Sequence, residues 1–222
     1  AALLGAPLDA QVHQHIARLL GAVAVDRASV VALAERLADP AVAEAALFGL
    51  QRCQHADAST KLIEALSRHD LALSRVAVID ALGARRESAA GAELVAVAER
   101  GSEDEARAAR AALSRSADPR AERLLTDAAA AKSPGAVADL LRYADGRLAA
   151  GDKDDVRRLV TPLLESPQAH ERAAALLLTA HAGGEQELAR VIGALADPAL
   201  AVRAIARSEL GASGSTRASG EL

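Results

Sequence analysis

The 222-residue chain has no methionine and no tryptophan, and a single residue each of tyrosine, phenylalanine and cysteine. One cysteine, Cys53, excludes an intrachain disulfide, leaves the redox compartment open and leaves no second thiolate for a cysteine-based zinc set. Lysine is nearly absent as well: Lys61, Lys132 and Lys153 are the three among 26 basic residues. Against 30 acidic residues the net charge is −4, so the basic excess that a nucleic-acid binder needs is missing. Apolar stretches such as 173–180 fall far short of the ~20 residues of a membrane-spanning helix, which argues against membrane insertion. There is no signal-peptide layout, no Gly-x-Ser-x-Gly, no P-loop and no Gly-x-Gly-x-x-Gly. A chain that opens on alanine and lacks methionine reads as a segment of a longer polypeptide.

What the chain does contain is alanine, 58 of 222 residues, within a hydrophobic content of 51%. A core of Ala, Leu and Val suits helices whose backbones approach closely in thin layers, and Ala and Leu are the strongest helix formers. The preference for Arg and Ala matches what a GC-rich genome encodes. A repeating unit is visible. Mid-unit turns fall at Asp39-Pro40, Asp70-Leu71, Ser102-Glu103, Ser133-Pro134, Ser166-Pro167 and Asp197-Pro198, with spacings of 31, 32, 31, 33 and 31. A fixed period in the 20–50 range is the mark of a solenoid.

Each unit divides into two short amphipathic helices. The first helices carry Val30, Leu33 and Leu37, then Leu62, Ile63 and Leu66, and so on to Leu188, Val191, Ile192 and Leu195. The second helices carry Val42, Ala45, Leu47 and Leu50, or Leu73, Val76, Ile79 and Leu82. Proline after the turn Asp or Ser is expected to open the second helix at its first position, with the Asp or Ser as N-cap. Gly83 is expected to end its helix as a C′ glycine. Residues 9–20 predict one further helix, a remnant or cap of a preceding repeat, and the helix after Pro134 is expected to run long, towards Ala150. The acidic run Asp152, Asp154 and Asp155 reads as favourable charge at the start of a helix near Val156, ahead of a calcium loop.

The last unit, Leu195-Ala-Asp197-Pro198 through Val202-Arg203 and Ile205 to Leu210-Gly211, resembles a HEAT repeat of the short bacterial type, similar to the repeats of phycobilisome-lyase-like proteins. Weaker copies are Ser74-Arg75 before Ala81-Leu82-Gly83, Ala106-Arg107 and Glu171-Arg172; Ala43-Glu44 departs from the pattern at the Arg position. The resemblance covers roughly residues 27–211. It implies a ladder from repeat to repeat between turn Asp (Asp39, Asp70, Asp197) and helix Arg (Arg75, Arg107, Arg172, Arg203). It also implies a concave face made by the second helices. A sharper reading makes Arg75, Arg107, Arg110, Arg142, Tyr143, Arg172, Arg203 and Arg207 a protein-binding face for an acidic partner, since Arg forks suit carboxylates and Arg and Tyr are enriched at binding hot spots.

Metal chemistry finds little purchase in the sequence. His13 and His15 are two residues apart on a helix and so on different faces, and Cys53 with His55 lacks a second thiol. His170-Glu171 is one pair, where the iron site of deoxyhypusine hydroxylase, a HEAT-like enzyme, uses several. HEAT-like DNA glycosylases need a basic groove and aromatic side chains, and bilin lyases need a chromophore pocket; neither set is present.

The sequence therefore predicts an all-α fold, a right-handed α-solenoid (α/α superhelix) of about six HEAT-like hairpins. The expected layout is an N-terminal helix in 1–26, the repeat array in 27–211 and a Gly/Ser linker in 212–222 leading to a further domain. The expected function is a non-catalytic scaffold or interaction module of a larger bacterial protein, with no metal or cofactor, binding a protein or a neighbouring domain. The alternative is an accessory region of an exported enzyme or electron-transfer protein, with a cytochrome c or 3-keto-disaccharide hydrolase-like domain.

Overall fold

A computed structural model describes residues 9–23, 26–86, 88–116 and 118–220. Among them there are thirteen α-helices and no strand, so the fold is all-α. The chain divides into two compact units, residues 1–124 and 125–222.

The first unit contains α1 (Ala10–Val23), α2 (Arg27–Glu35), α3 (Ala43–Arg52), α4 (Asp57–Ala65), α5 (Arg75–Arg85), α6 (Gly91–Arg100) and α7 (Glu103–Ser116). Here α2 packs with α3, α4 with α5 and α6 with α7, as hairpins. The second helices also pack in succession, α1 on α3, α3 on α5 and α5 on α7, and α2 lies against α4. Leu33, Leu37, Leu50, Leu62, Ile79 and Leu113 are fully buried between them, each worth about 1.5–3 kcal/mol relative to exposure. Most of the predicted stripe residues of this unit are buried, while Leu47, Ile63, Leu73 and Val76 are half-buried. Ile192 and Leu195, at the end of the last predicted stripe, are exposed instead.

Helix α8 (Glu122–Ala130) runs across the division between the units. The second unit continues with α9 (Ala136–Ala149), α10 (Lys153–Val160), α11 (Ala169–Ala182), α12 (Glu185–Gly193) and α13 (Leu200–Gly220). Hairpins form between α10 and α11 and between α12 and α13, while α9 packs on α11 and α11 on α13. Helix α9 is long, as expected. Leu176, Val191, Val202 and Ala206 form the core at the α11–α13 end.

Close approach of the second helices depends on glycine. A Cβ on Gly49 of α3 would stand 2.6 Å from the Ala17 carbonyl of α1, and one on Gly83 of α5 would stand 2.7 Å from Ala112 Cα of α7. Gly83 is therefore not the C′ residue that ends its helix. It sits inside α5, which ends at Arg86 in the left-handed region with φ of 54°.

The prolines are also placed differently from expectation. Helices α3, α9, α11 and α13 begin two or more residues beyond Pro40, Pro134, Pro167 and Pro198. Asp39 accepts from the Ala41 amide (3.0 Å), Asp197 from Ala199 (2.8 Å) and Ser166 Oγ from Gln168 (3.1 Å). Each is a turn closed two residues on, which consumes the proline before the helix starts. True N-caps occur elsewhere: Asp26 on Ser29 and Ser74 on Ala77. Ser102 and Glu105 form a reciprocal capping box.

Helix α13 carries the backbone on to Gly220, over residues read as linker. No proline interrupts residues 212–220, and glycine weakens a helix by only about 1 kcal/mol per residue. Helix α10 starts at Lys153 rather than near Val156.

Candidate functional site

Two of the arginines singled out by the resemblance, Arg172 and Arg75, share one arrangement. Arg172 of α11 grips Asp197 with both arms of its fork, Nε to Oδ2 and Nη2 to Oδ1 at 2.9 Å each, and gives Nη1 to the Ser166 carbonyl at 2.7 Å. It thus joins the turn of its own hairpin to the turn of the next. Arg75 does the same in the first unit: Nε donates to the Leu66 carbonyl (3.0 Å) and Nη1 meets Glu105 (3.0 Å) at the start of α7. Glu105 takes the place of the turn aspartate because its position is already locked by the capping box with Ser102. Arg203 makes the backward half alone, Nη1 to the Asp197 and Pro198 carbonyls at 2.7 and 2.8 Å.

The ladder expected from the resemblance is incomplete. Arg107 pairs one turn back with Asp104 at 2.5 Å. Asp70 is held by Arg68, whose Nη1 also caps Ala34, while Asp39 stands 3.8 Å from Arg36 of its own hairpin. Arg142 pairs with Asp139 on its own helix. Among the described residues, Arg110 and Arg207 have no ion-pair partner, and the buried Nε of Arg110 has no hydrogen-bond acceptor. Tyr143 must be withdrawn from the surface. It is the largest fully buried side chain, because α9 turns that position into the core of its unit.

The electrostatics follow the same geometry. The Arg172 fork holds the Asp197 carboxyl below the ordinary aspartate range, and Arg147, then Arg158, do so for Asp155. Burial pushes Asp118 up, but hydrogen bonds from Arg120 outweigh it and its pKa is lowered. The acidic run at the start of α10 is thus spent on arginines: Asp154 on Arg157, Asp152 and Asp155 on Arg147. Glu171 accepts from Ser166 Oγ, which makes His170-Glu171 part of a turn. His55 Nδ1 accepts the Asp57 amide, and Cys53 is buried. No group of three or more His, Cys, Asp or Glu among the described residues stands in metal-ligating geometry. No helix of theirs is long and apolar enough to cross a membrane. In the second unit a groove of about 710 Å³ runs between the starts of α9 and α11, lined by Pro134, Val137, Leu141, Pro162, Leu163 and His170.

Several arginines that the sequence reading passed over are as structural as the predicted ones. Arg85 gives Nη1 to the Leu50, Gln51 and Cys53 carbonyls at the end of α3 and Nε to Ser59. Arg157 caps Ala182 and Gly183 at the end of α11. A basic residue at a helix C-terminus relieves unsatisfied carbonyls, and a planar fork reaches several at once where lysine offers a point charge. The arginine bias therefore has a physical use in this fold. The nearest sequence signal was the scarcity of lysine.

No protein-family model matches the chain. Comparison with curated proteins returns no match.

Proposed function

We propose that the chain is a non-catalytic protein-interaction scaffold, built as a right-handed α-solenoid of HEAT-like hairpins that work by presenting surface. The observation that carries this reading is the recurrence of one latch, Arg172 to Asp197 and Arg75 to Glu105, between successive hairpins whose second helices lie side by side. A fold in which each layer touches its neighbours has extended faces rather than one central cavity. Arg75, Arg85, Arg157, Arg172 and Arg203 and the groups they hold serve capping and latching, which calls for no reaction to explain them.

In each unit the face of the second helices is the proposed interface, and its occupant is an acidic protein surface or a neighbouring domain. Arg75, Arg172 and Arg203 are committed to turn carbonyls or carboxylates, and Arg107 and Arg142 to local pairs. Arg110 and Arg207 are the donors left to a partner. The test is quantitative capture of proteins from the native lysate by wild type and by the Arg110→Glu, Arg207→Glu double variant. Lys153→Glu serves as a control for charge, and melting temperature is monitored throughout. Selective loss of retained proteins in the double variant, at unchanged melting temperature, is the expected result. An identical retained set would remove this face from the account.

A further inference from the structure

Helix α3 lies inside the first unit, packed on both flanks by α1 and α5 and touching α2 and α4 as well. Its uncovered side carries Glu44, Phe48 and Arg52, all exposed and spaced four residues apart, so that they stand one above the other. Phe48, the chain's one phenylalanine, is 43% exposed. A single exposed apolar residue is ordinary on a protein surface. What sets Phe48 apart is its neighbour.

Arg52, outside the set of arginines predicted from the sequence, lies over the Phe48 ring with its Cζ 5.6 Å from the centroid. Apart from this contact it makes no hydrogen bond or ion pair among the described residues. Arg75, Arg85, Arg157 and Arg172 all spend their forks on carbonyls or carboxylates. The ring holds the Arg52 guanidinium through its charge and leaves the N–H donors unused. Less side-chain freedom is then lost when an anion binds that fork.

Arg52 also forms a wall of a notch of about 280 Å³ at the end of α3, with Gln51, Cys53, Gln54, Ala84 and Arg85. No carboxylate of the described residues lines it. The side-chain amides of Gln51 and Gln54 make no hydrogen bond among those residues. Carbonyls at a helix C-terminus ordinarily oppose an anion. Here Arg85 binds those of Leu50, Gln51 and Cys53, which offsets that charge. The notch therefore presents one guanidinium and two carboxamides, with an aromatic ring one turn away.

We propose that this notch, with Phe48 beside it, is the docking point for an acidic peptide segment of a partner protein. A carboxylate of the segment enters the notch and pairs with the Arg52 fork, and a nearby apolar side chain lies on Phe48. Glu44, one turn before Phe48, disfavours acid at its own end and so sets the direction of the segment. The assignment rests on the reading of the second-helix face as an interface and names where on it the first unit binds.

Selection from a random peptide library displayed on phage, against the full chain, tests it. Enriched peptides are expected to share an Asp or Glu close to a Leu, Ile or aromatic residue. Made synthetically and followed by fluorescence anisotropy, they should bind Phe48→Ala and Arg52→Gln at least about tenfold more weakly than wild type. Both substituted side chains are exposed, so circular dichroism and melting temperature should stay unchanged. No enrichment over the bare matrix, enriched peptides free of acid, or an affinity that either substitution leaves intact would each overturn the proposal. Peptides that lose affinity with Arg110→Glu but not with Arg52→Gln would overturn it while supporting the wider face. Failure of that wider reading shows separately, in lysate proteins retained equally by wild type and the Arg110→Glu, Arg207→Glu double variant.

Discussion

Arginine offers five donors in a planar fork, and this chain uses the fork to bind two things at once. Arg172 holds a carboxylate ahead of it and a carbonyl behind it; Arg85 gathers three carbonyls at one helix end. Asp197 in turn accepts from both Arg172 and the Ala199 amide. Asp197→Ala should therefore cost at least about 1 kcal/mol, the usual net worth of an intramolecular hydrogen bond, read as a lowered midpoint in urea. The pH dependence has a fixed sign. Because the folded carboxyl titrates below the ordinary aspartate value of about 3.9, its contribution is full above that value and is lost as pH falls through the lower folded one. The gap between wild type and Asp197→Ala should close in acid; a gap that stays constant from neutral pH down through that window would contradict the pairing. Asp197 and Arg172 were legible in the sequence because the Asp-Pro turn and the Arg recur at fixed spacing. Arg85 and Arg157 were not, since what they cap is distant along the chain and leaves no local pattern. Tyr143 was misplaced for a related reason: hot-spot enrichment describes residue types and carries no information on which side of a helix is covered.

At the scale of the helix, hydrophobic periodicity identified the elements and most of the residues they bury, Ile192 and Leu195 excepted, and it placed the long α9 correctly. Boundaries were harder. The Asp-Pro pairs announce a turn that can serve as a cap or as a separate two-residue closure, and only packing decides between them. Glycine was the other ambiguity. Leu82-Gly83 and Leu210-Gly211 look alike in sequence, yet the first faces the backbone of α7 and the second faces nothing. This gives a paired prediction. Gly83→Ala should destabilise the protein by about 1–3 kcal/mol, the cost of overpacking a tight contact. Gly211→Ala should be neutral or stabilising by up to about 1 kcal/mol, the helix-propensity gain. Chemical denaturation of the two variants side by side measures both; equal effects would mean that the α5–α7 approach is looser than described.

At the scale of the whole molecule, the all-α class follows from composition and periodicity alone, because nothing in the chain alternates with the period of a strand. What the sequence does not carry is which surface is left uncovered after the helices pack, and the candidate interface depends on that. The arginine face depends on which guanidinium groups are already committed to turns. It rests on the proposal that the hairpins are layers contacting only their neighbours, and deletion of the last layer tests it most directly. A chain ending at Gly183, lacking α12 and α13, should keep the helical signal of the remaining elements and unfold cooperatively in urea, since only the α11 side of one layer contact is lost. Loss of cooperative unfolding, or a fall in helicity well beyond the deleted residues, would show that the hairpins share a common core, and the layered account would be wrong.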